Sequence, residues 1–319
     1  MTSTPSTSET GRQSQPFSLQ ALIKQLRPKQ WVKNLIVFVP LLFSGKFGEG
    51  GAVLAAAYCC LAFCSISSGI YAVNDLNDLQ ADRAHPRKRF RPIAAGVISV
   101  PAAWALSLFC FAAGLSLAFY VRPTLTLVCL AYIVLNFVYS YFLKKIVIID
   151  VLSIAFSFVL RAVAGAVAVH VPASGWFLLC TTLGALFLAL EKRRHEVSLL
   201  ADQSASHRTV LQEYSLNLLV RLENLITPSL LTAYAFYSFQ SFHGQWMLLT
   251  VPIVLYGIMR YQYLSESGHF TGAPEEVLWQ DRPLQLTLIL WVAACAVVVY
   301  GHPGQWLHEV ARIMDSIRK

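Results

Sequence analysis

Long apolar runs alternate with short polar ones along most of the chain. Nine apolar runs stand out, at about 35–48, 52–73, 101–120, 123–142, 147–170, 175–191, 218–239, 246–263 and 284–301. Roughly 18 to 20 apolar residues in helix cross a bilayer core. The pattern therefore predicts an all-α, polytopic integral membrane protein with nine transmembrane helices. A closed β-barrel would instead show short alternating segments. The first run is short and contains Pro40. Ahead of it, Phe17, Leu19, Leu22, Ile23 and Leu26 recur at helical spacing among basic positions, which suits a helix lying on the membrane surface. Trp31 suits the headgroup region. Residues 1–16 are rich in Ser, Thr and Gln, with no apolar core. They are expected to be a disordered tail, not a signal peptide. Residues 17–303 are expected to form one transmembrane domain, and 304–319 a short C-terminal tail.

Composition agrees. The chain is 56% hydrophobic and 13% charged, against about 25% charged in soluble domains. The net charge of +8 points to anionic headgroups or an anionic substrate, and not to nucleic acid. All seven cysteines fall inside apolar runs, as small buried hydrophobes with neither disulfide nor zinc spacing. With the N-terminus inside, 19 of the 25 Lys and Arg residues fall on cytoplasmic segments. The positive-inside rule then predicts, for nine spans, a C-terminus outside, and the expected location is the inner (plasma) membrane, crossed several times. Every polar cluster with chemical potential lands on the cytoplasmic side, so a site facing the cytoplasm is expected there.

The densest cluster runs from Asn74 to Pro92. Asp75, Asp78 and Asp82 are spaced i, i+3 and i+7, which on one helix puts them on a common face. Such a trio repels itself unless a cation sits among the carboxylates or one keeps its proton. Hard oxygen donors suit Mg²⁺, which commonly completes its shell with substrate phosphates. Arg83, Arg87, Lys88, Arg89 and Arg91 follow at once and suit phosphate oxygens. A solvated loop holding a helix end in water is the plain alternative.

Three further stretches carry charge. Tyr139 to Asp150 contains Tyr141, Lys144 and Lys145 between two runs, either a topological turn or part of a site. Asp150 opens an apolar helix, where it suits the helix dipole. Arg161 follows eleven residues later on the same face, and a mid-span charge is a functional candidate. A structural charge paired inside the bundle is the alternative. Glu191 to Glu196 sets Lys192, Arg193 and Arg194 between two acids, an arrangement suited to clamping an anion or to holding a loop inside. Asp281 and Arg282 precede the last run and could close a site.

These residues carry a resemblance. Asn74-Asp75-x-x-Asp78-x-x-x-Asp82 resembles the NDxxDxxxD signature of the UbiA superfamily of intramembrane prenyltransferases, and Tyr141-x-x-x-Lys145 resembles the YxxxK motif that follows it. The resemblance implies nine helices with a cytoplasmic cap. Members normally carry a second motif, DxxxD, near the inner end of the sixth helix. Here that place reads Glu191-Lys-Arg-Arg-His-Glu196, with cations where the superfamily has carboxylates. The Arg27–Asn34 stretch, the Asn74–Gly96 block, Asp150–Gly165 with Arg161, Lys192-Arg193-x-x-Glu196 and Asp281-Arg282 resemble a branch that transfers phosphoribosyl groups. That resemblance implies Mg²⁺, phosphoribosyl diphosphate as donor and polyprenyl (decaprenyl) phosphate as acceptor, with a role in cell-wall biogenesis. Asp75, Asp78 and Asp82, with Asn74, would hold the metal. Lys88, Arg91, Lys144, Lys192 and Arg193 would meet donor phosphates, and Lys33 and Asn34 the acceptor phosphate or the leaving group. Tyr139, Tyr141, Lys145, Asp150, Arg161, Glu196 and Arg282 complete the expected substrate-binding set. Prenyl transfer to an aromatic or haem acceptor is one alternative, and a transporter or lipid flippase another. A homo-oligomer is left open.

Overall fold

The structure is a computed structural model that describes residues 18–201, 211, 213–241, 244–267, 277–278 and 280–301. The expected tails at 1–16 and 304–319 and most of the 200–212 loop lie outside these residues. Everything long among the described residues is helical. A surface helix α1 (Leu19–Leu26) is followed by a 3₁₀ helix (Pro28–Phe38) and a short α2 (Val39–Phe43). Then come α3 (Gly50–Asn77), α4 (Leu79–Ala84), α5 (Val100–Val121), α6 (Pro123–Tyr141), α7 (Ile149–Ala168) and α8 (Gly175–Ala201). The bundle closes with α9 (Leu216–Gln240), α10 (Val251–Glu266) and α11 (Arg282–Tyr300).

By length and composition, seven helices among the described residues can cross a membrane. The expected total was nine, and the two exceptions have physical reasons. The 35–48 run is not one α-helix. It is the end of the 3₁₀ segment joined to α2, which stops at Ser44 before Gly45 at φ 74. Pro28 and Pro40 stand at the first turns of the two segments and help set where each begins. The other exception, α9, is long enough at 25 residues but carries Arg221 and Glu223 in its first turns and Pro228 inside.

Small residues set how closely the helices approach. A Cβ on Gly165 of α7 would stand 2.2 Å from the Val37 carbonyl oxygen, so α7 lies directly on the 3₁₀ segment. A Cβ on Gly114 of α5 would fall 2.6 Å from the Ile66 side chain of α3. Without a hydrophobic drive between helices in lipid, such close backbone approach is what dispersion packing requires. The core of this half holds Phe63, Ile66, Leu125 and Tyr132. Val151, Ala155, Leu190 and Leu219 join α7, α8 and α9. Leu108, Phe109, Leu127 and Leu286 stay exposed, as expected of side chains that face lipid in a multi-pass protein.

Candidate active site

A cavity of about 890 Å³ runs into the bundle between α3, α6, α7, α8, α9, α10 and α11. Its mouth is lined by Asn74, Asp75, Asp78, Lys88, Arg91, Tyr139, Lys144, Lys192 and Arg193. Deeper in it turns apolar, with Phe43, Tyr237, Ile253, Leu288 and Trp291. Phe43 meets Tyr237 and Trp291 edge-on at centroid distances of 5.4 and 6.1 Å, and Trp291 Nε1 donates to the Tyr234 hydroxyl at 2.8 Å.

The three aspartates are not on one unbroken helix, although Asp75 and Asp82 reach the same side, where both meet Arg91. Helix α3 ends at Asn77, Asp78 is the joint at φ −89 and ψ 9, and α4 begins at Leu79. Asp75 and Asp82 are buried while the Asp78 side chain is 48% exposed, 3.9 Å from Lys144 Nζ. Asp82 does not line the cavity, but Arg91 joins it to Asp75. Arg91 Nη1 donates to Asp75 at 2.8 Å and to Asp82 at 2.6 Å. Asp75 also accepts from Gln25 Nε2 at 2.9 Å, and from Arg27 Nη2 at 2.6 and 2.8 Å.

The sequence reading missed Gln25 and Arg27 as site residues. Gln25 is a fully buried amide on an amphipathic helix, and Arg27 is a left-handed C-cap at φ 55 whose guanidinium lies 4.9 Å over the Tyr71 ring. The only sequence signal was the position of Arg27 at the head of the Arg27–Asn34 stretch.

The donor set fits a hard divalent cation. One oxygen from each of Asp75 and Asp82 already converges on a single cationic nitrogen, and Asp78 and Asn74 line the same mouth. Among the described residues, no three His, Cys, Asp or Glu side chains close on one point. A metal here would take its remaining ligands from phosphate and water, the habit of Mg²⁺.

Arg161 stands deep in the cavity wall at 4% exposure. It donates to Asn34 Oδ1 at 2.8 Å, to the Tyr132 hydroxyl at 2.6 Å and to Ser157 Oγ at 2.7 Å. None of these partners is a carboxylate, so the wall keeps a net positive charge. Asn34 is itself buried beside Cys64 and Ser67 and acts on the cavity through Arg161. Lys33 lines the cavity above it.

Asp150 does not work with Arg161, despite their common helix face. It accepts from Arg193 Nε at 2.8 Å and from the Tyr214 hydroxyl at 2.6 Å, across to α8 and the loop before α9. Burial and this bond to Asp150 push the Tyr214 hydroxyl up. Arg193 also pairs with Glu196. The expected anion clamp is thus largely committed to carboxylates: Arg193 to Asp150 and Glu196, Arg194 to Glu191 and Glu223. Lys192 is the residue of this run that lines the mouth beside Arg193. Removing one partner of a buried ion pair costs about 3–5 kcal/mol. Arg193→Ala is therefore expected to lower thermal stability in detergent strongly, because Asp150, fully buried, would lose its charge partner. Unchanged melting of the variant would sink that assignment.

Three further expected residues fall elsewhere. Tyr141 and Lys145 line a smaller cavity of about 220 Å³ beside the mouth, where the Tyr141 hydroxyl accepts from Asn77 at 2.8 Å. Arg282 is exposed and lines neither cavity. The tie at that corner is made by Asp281 instead, which accepts from Arg260 at 2.7 Å and from the Leu284 amide at 2.7 Å, capping α11. The Arg260 guanidinium holds the Asp281 carboxyl below the usual range.

Fold and site together define a multi-pass helical membrane protein with a charged-mouthed, apolar-floored cavity. The model of the UbiA prenyltransferase family matches residues 36–269, and the chain belongs to that family. It is 35% identical over 317 residues to a decaprenyl-phosphate phosphoribosyltransferase of Corynebacterium glutamicum, covering 95% of each chain. It is 32% identical over 299 residues to the protein of the same name from Mycolicibacterium smegmatis, covering 88% of this chain and 93% of the relative. A UbiA homolog from Archaeoglobus fulgidus, solved bound to GPP and Mg²⁺, shares the fold with a TM-score of 0.69 at 18% identity. That match covers 88% of this chain and 99% of the other.

Proposed function

We propose that this protein transfers a 5-phosphoribosyl group from phosphoribosyl diphosphate to a polyprenyl phosphate and releases pyrophosphate. The observation that carries the reading is Arg161. A buried guanidinium with no carboxylate partner among the described residues, in the wall between a charged mouth and an apolar floor, suits the phosphate of a lipid whose tail lies in the apolar part. The names of the relatives support the same transferred group and acceptor. At about 890 Å³, the cavity is near the upper end for a drug-sized ligand. A long polyprenyl tail therefore continues beyond it among the lipids.

In this reading an oxygen of the acceptor phosphate attacks C1 of the ribose as the bond from C1 to the diphosphate oxygen breaks. The acceptor is already an anion near neutral pH, so no general base is needed. Displacement inverts C1. Asp75 and Asp82, with Asp78 and Asn74 at the edge, would hold Mg²⁺, which when bound supplies charge neutralisation to the leaving diphosphate. Lys88, Lys144 and Arg91 line the mouth where that diphosphate would lie, and Lys33 and Arg161 orient the acceptor. Positioning and preorganised charge provide the acceleration. The donor is soluble, so the mouth faces the cytoplasm and the protein resides in the plasma membrane.

Ordinary prenyl transfer is disfavoured by the state of Glu191 and Glu196. Both are spent on arginines, at 3.0 Å for Glu191 with Arg194, and as a direct pair for Glu196 with Arg193. Among the described residues, no second pair of acids is left at this place to hold metal on a prenyl diphosphate. The test is purified protein with Mg²⁺, polyprenyl phosphate and either phosphoribosyl diphosphate or isoprenyl diphosphates, with products read by mass spectrometry. Phosphoribosyl-lipid and pyrophosphate are expected; product only from isoprenyl donors would overturn the proposal. Lys192→Ala is expected to raise KM for the donor roughly ten- to a hundredfold, the worth of one charge-assisted contact of about 1.5–3 kcal/mol. KM for the lipid should stay nearly unchanged, and equal losses toward both substrates would remove Lys192 from the donor site.

A further inference from the structure

We infer that Arg91 is a positioning residue that exchanges partners, holding Asp75 and Asp82 together until a divalent metal arrives with a diphosphate, and then gripping that diphosphate. This rests on the reading of the mouth as a diphosphate site and adds an order of binding to it.

The two carboxylates are fixed. Asp75 lies on the last turn of α3 and Asp82 on α4, and their side chains are 4% and 3% exposed. Arg27 is fixed too, since its Nη2 meets both oxygens of Asp75 and its guanidinium stacks on Tyr71. Arg91 differs. Both guanidiniums line the cavity and are partly exposed, Arg27 at 26% and Arg91 at 30%, but Arg91 follows a short 3₁₀ turn (Lys88–Phe90) on extended backbone at φ −66 and ψ 142 and holds Asp75 and Asp82 through the single nitrogen Nη1. Of the four charged groups in the cluster, it is the one built to move.

Charge decides what can displace it. Asp75 and Asp82 carry two negative charges, and Arg27 and Arg91 two positive ones, so the cluster is neutral. A bare divalent cation entering between the carboxylates adds two positive charges, with a guanidinium pushed out beside it. Like charges that close in a partly buried site are unfavourable. A cation arriving with a diphosphate brings its own negative charge, and the displaced guanidinium then has phosphate oxygens within a side chain's length. Metal and diphosphate should therefore bind with positive coupling, and Arg91 should suppress metal binding in the absence of diphosphate.

The test uses the full-length protein in detergent and Mn²⁺ as the probe, with binding read by electron paramagnetic resonance. Mn²⁺ is titrated alone and as its preformed complex with inorganic pyrophosphate. Wild type should bind the complex at least about tenfold more tightly than Mn²⁺ alone, within the usual range of coupling between sites. Arg91→Gln should bind Mn²⁺ alone about tenfold more tightly than wild type and lose most of the gain from pyrophosphate. Arg91→Lys, which keeps the charge, should retain part of the gain. A folded Arg91→Gln that binds Mn²⁺ no better than wild type overturns the inference. Should that variant fail to fold, equal affinity of wild type for Mn²⁺ and for the complex overturns it instead. Neither titration involves ribose or lipid, so a flat result leaves the transfer reaction standing, and a different donor in the product assay leaves the titration standing.

Discussion

Replacing Asp75 by asparagine is expected to lower transfer by about 10²- to 10³-fold or more, the scale on which preorganised charge acts in catalysis. Asp75 is the hub of the mouth. It is 3% exposed and accepts from Gln25, Arg27 and Arg91 at once. Asparagine keeps the shape but removes the anion that two guanidiniums share. It also removes one of the two oxygens that converge where a metal would sit. Some loss of stability should accompany this, moderated because Arg27 and Arg91 are 26% and 30% exposed and partly solvated. The check is initial rate at limiting Mg²⁺, beside thermal unfolding in the same detergent. A folded Asp75→Asn that keeps more than a tenth of the wild-type rate would remove Asp75 from the reaction.

Arg161→Met should act on the other substrate. Truncating a buried charged partner costs about 2–5 kcal/mol, equivalent to a KM for polyprenyl phosphate raised roughly thirtyfold to several thousandfold. KM for phosphoribosyl diphosphate should change little, because the Asp75 cluster is built from other helices. Arg161→Lys should rescue only in part. It restores charge but not the planar fork that reaches Asn34, Ser157 and Tyr132 together. A purely structural Arg161 gives a different result: lower melting temperature with both KM values intact in the fraction that remains folded. Steady-state kinetics with each substrate varied in turn would falsify the acceptor role if the lipid KM does not move.

What the chain determined by itself is its helical, membrane-spanning character and the neighbourhood of its chemistry. Transfer of apolar side chains out of water depends on local run length alone, so seven of the expected spans return as helices at nearly the expected places. Dense polar residues at the ends of such runs are equally local, which is why Asn74, Asp75, Asp78, Lys144 and Lys192 were legible and do line one cavity. Pairing is not local, and there only the tertiary structure decided. The i, i+3, i+7 spacing of the aspartates assumed a continuous helix; Asp75 and Asp82 do meet on one Arg91 nitrogen, but the helix is interrupted at Asp78, whose side chain stays exposed. Asp150 and Arg161 share a face of α7, yet they do not meet, and each reaches a partner on another element: Arg193 lies 43 positions from Asp150, and Asn34 lies 127 from Arg161. The physical reason is that a charge leaving water takes whichever opposite or polar group the packed bundle brings within about 3 Å. The long-range approach of the 3₁₀ segment, α7 and α8 sets that choice, and no period along the chain records it.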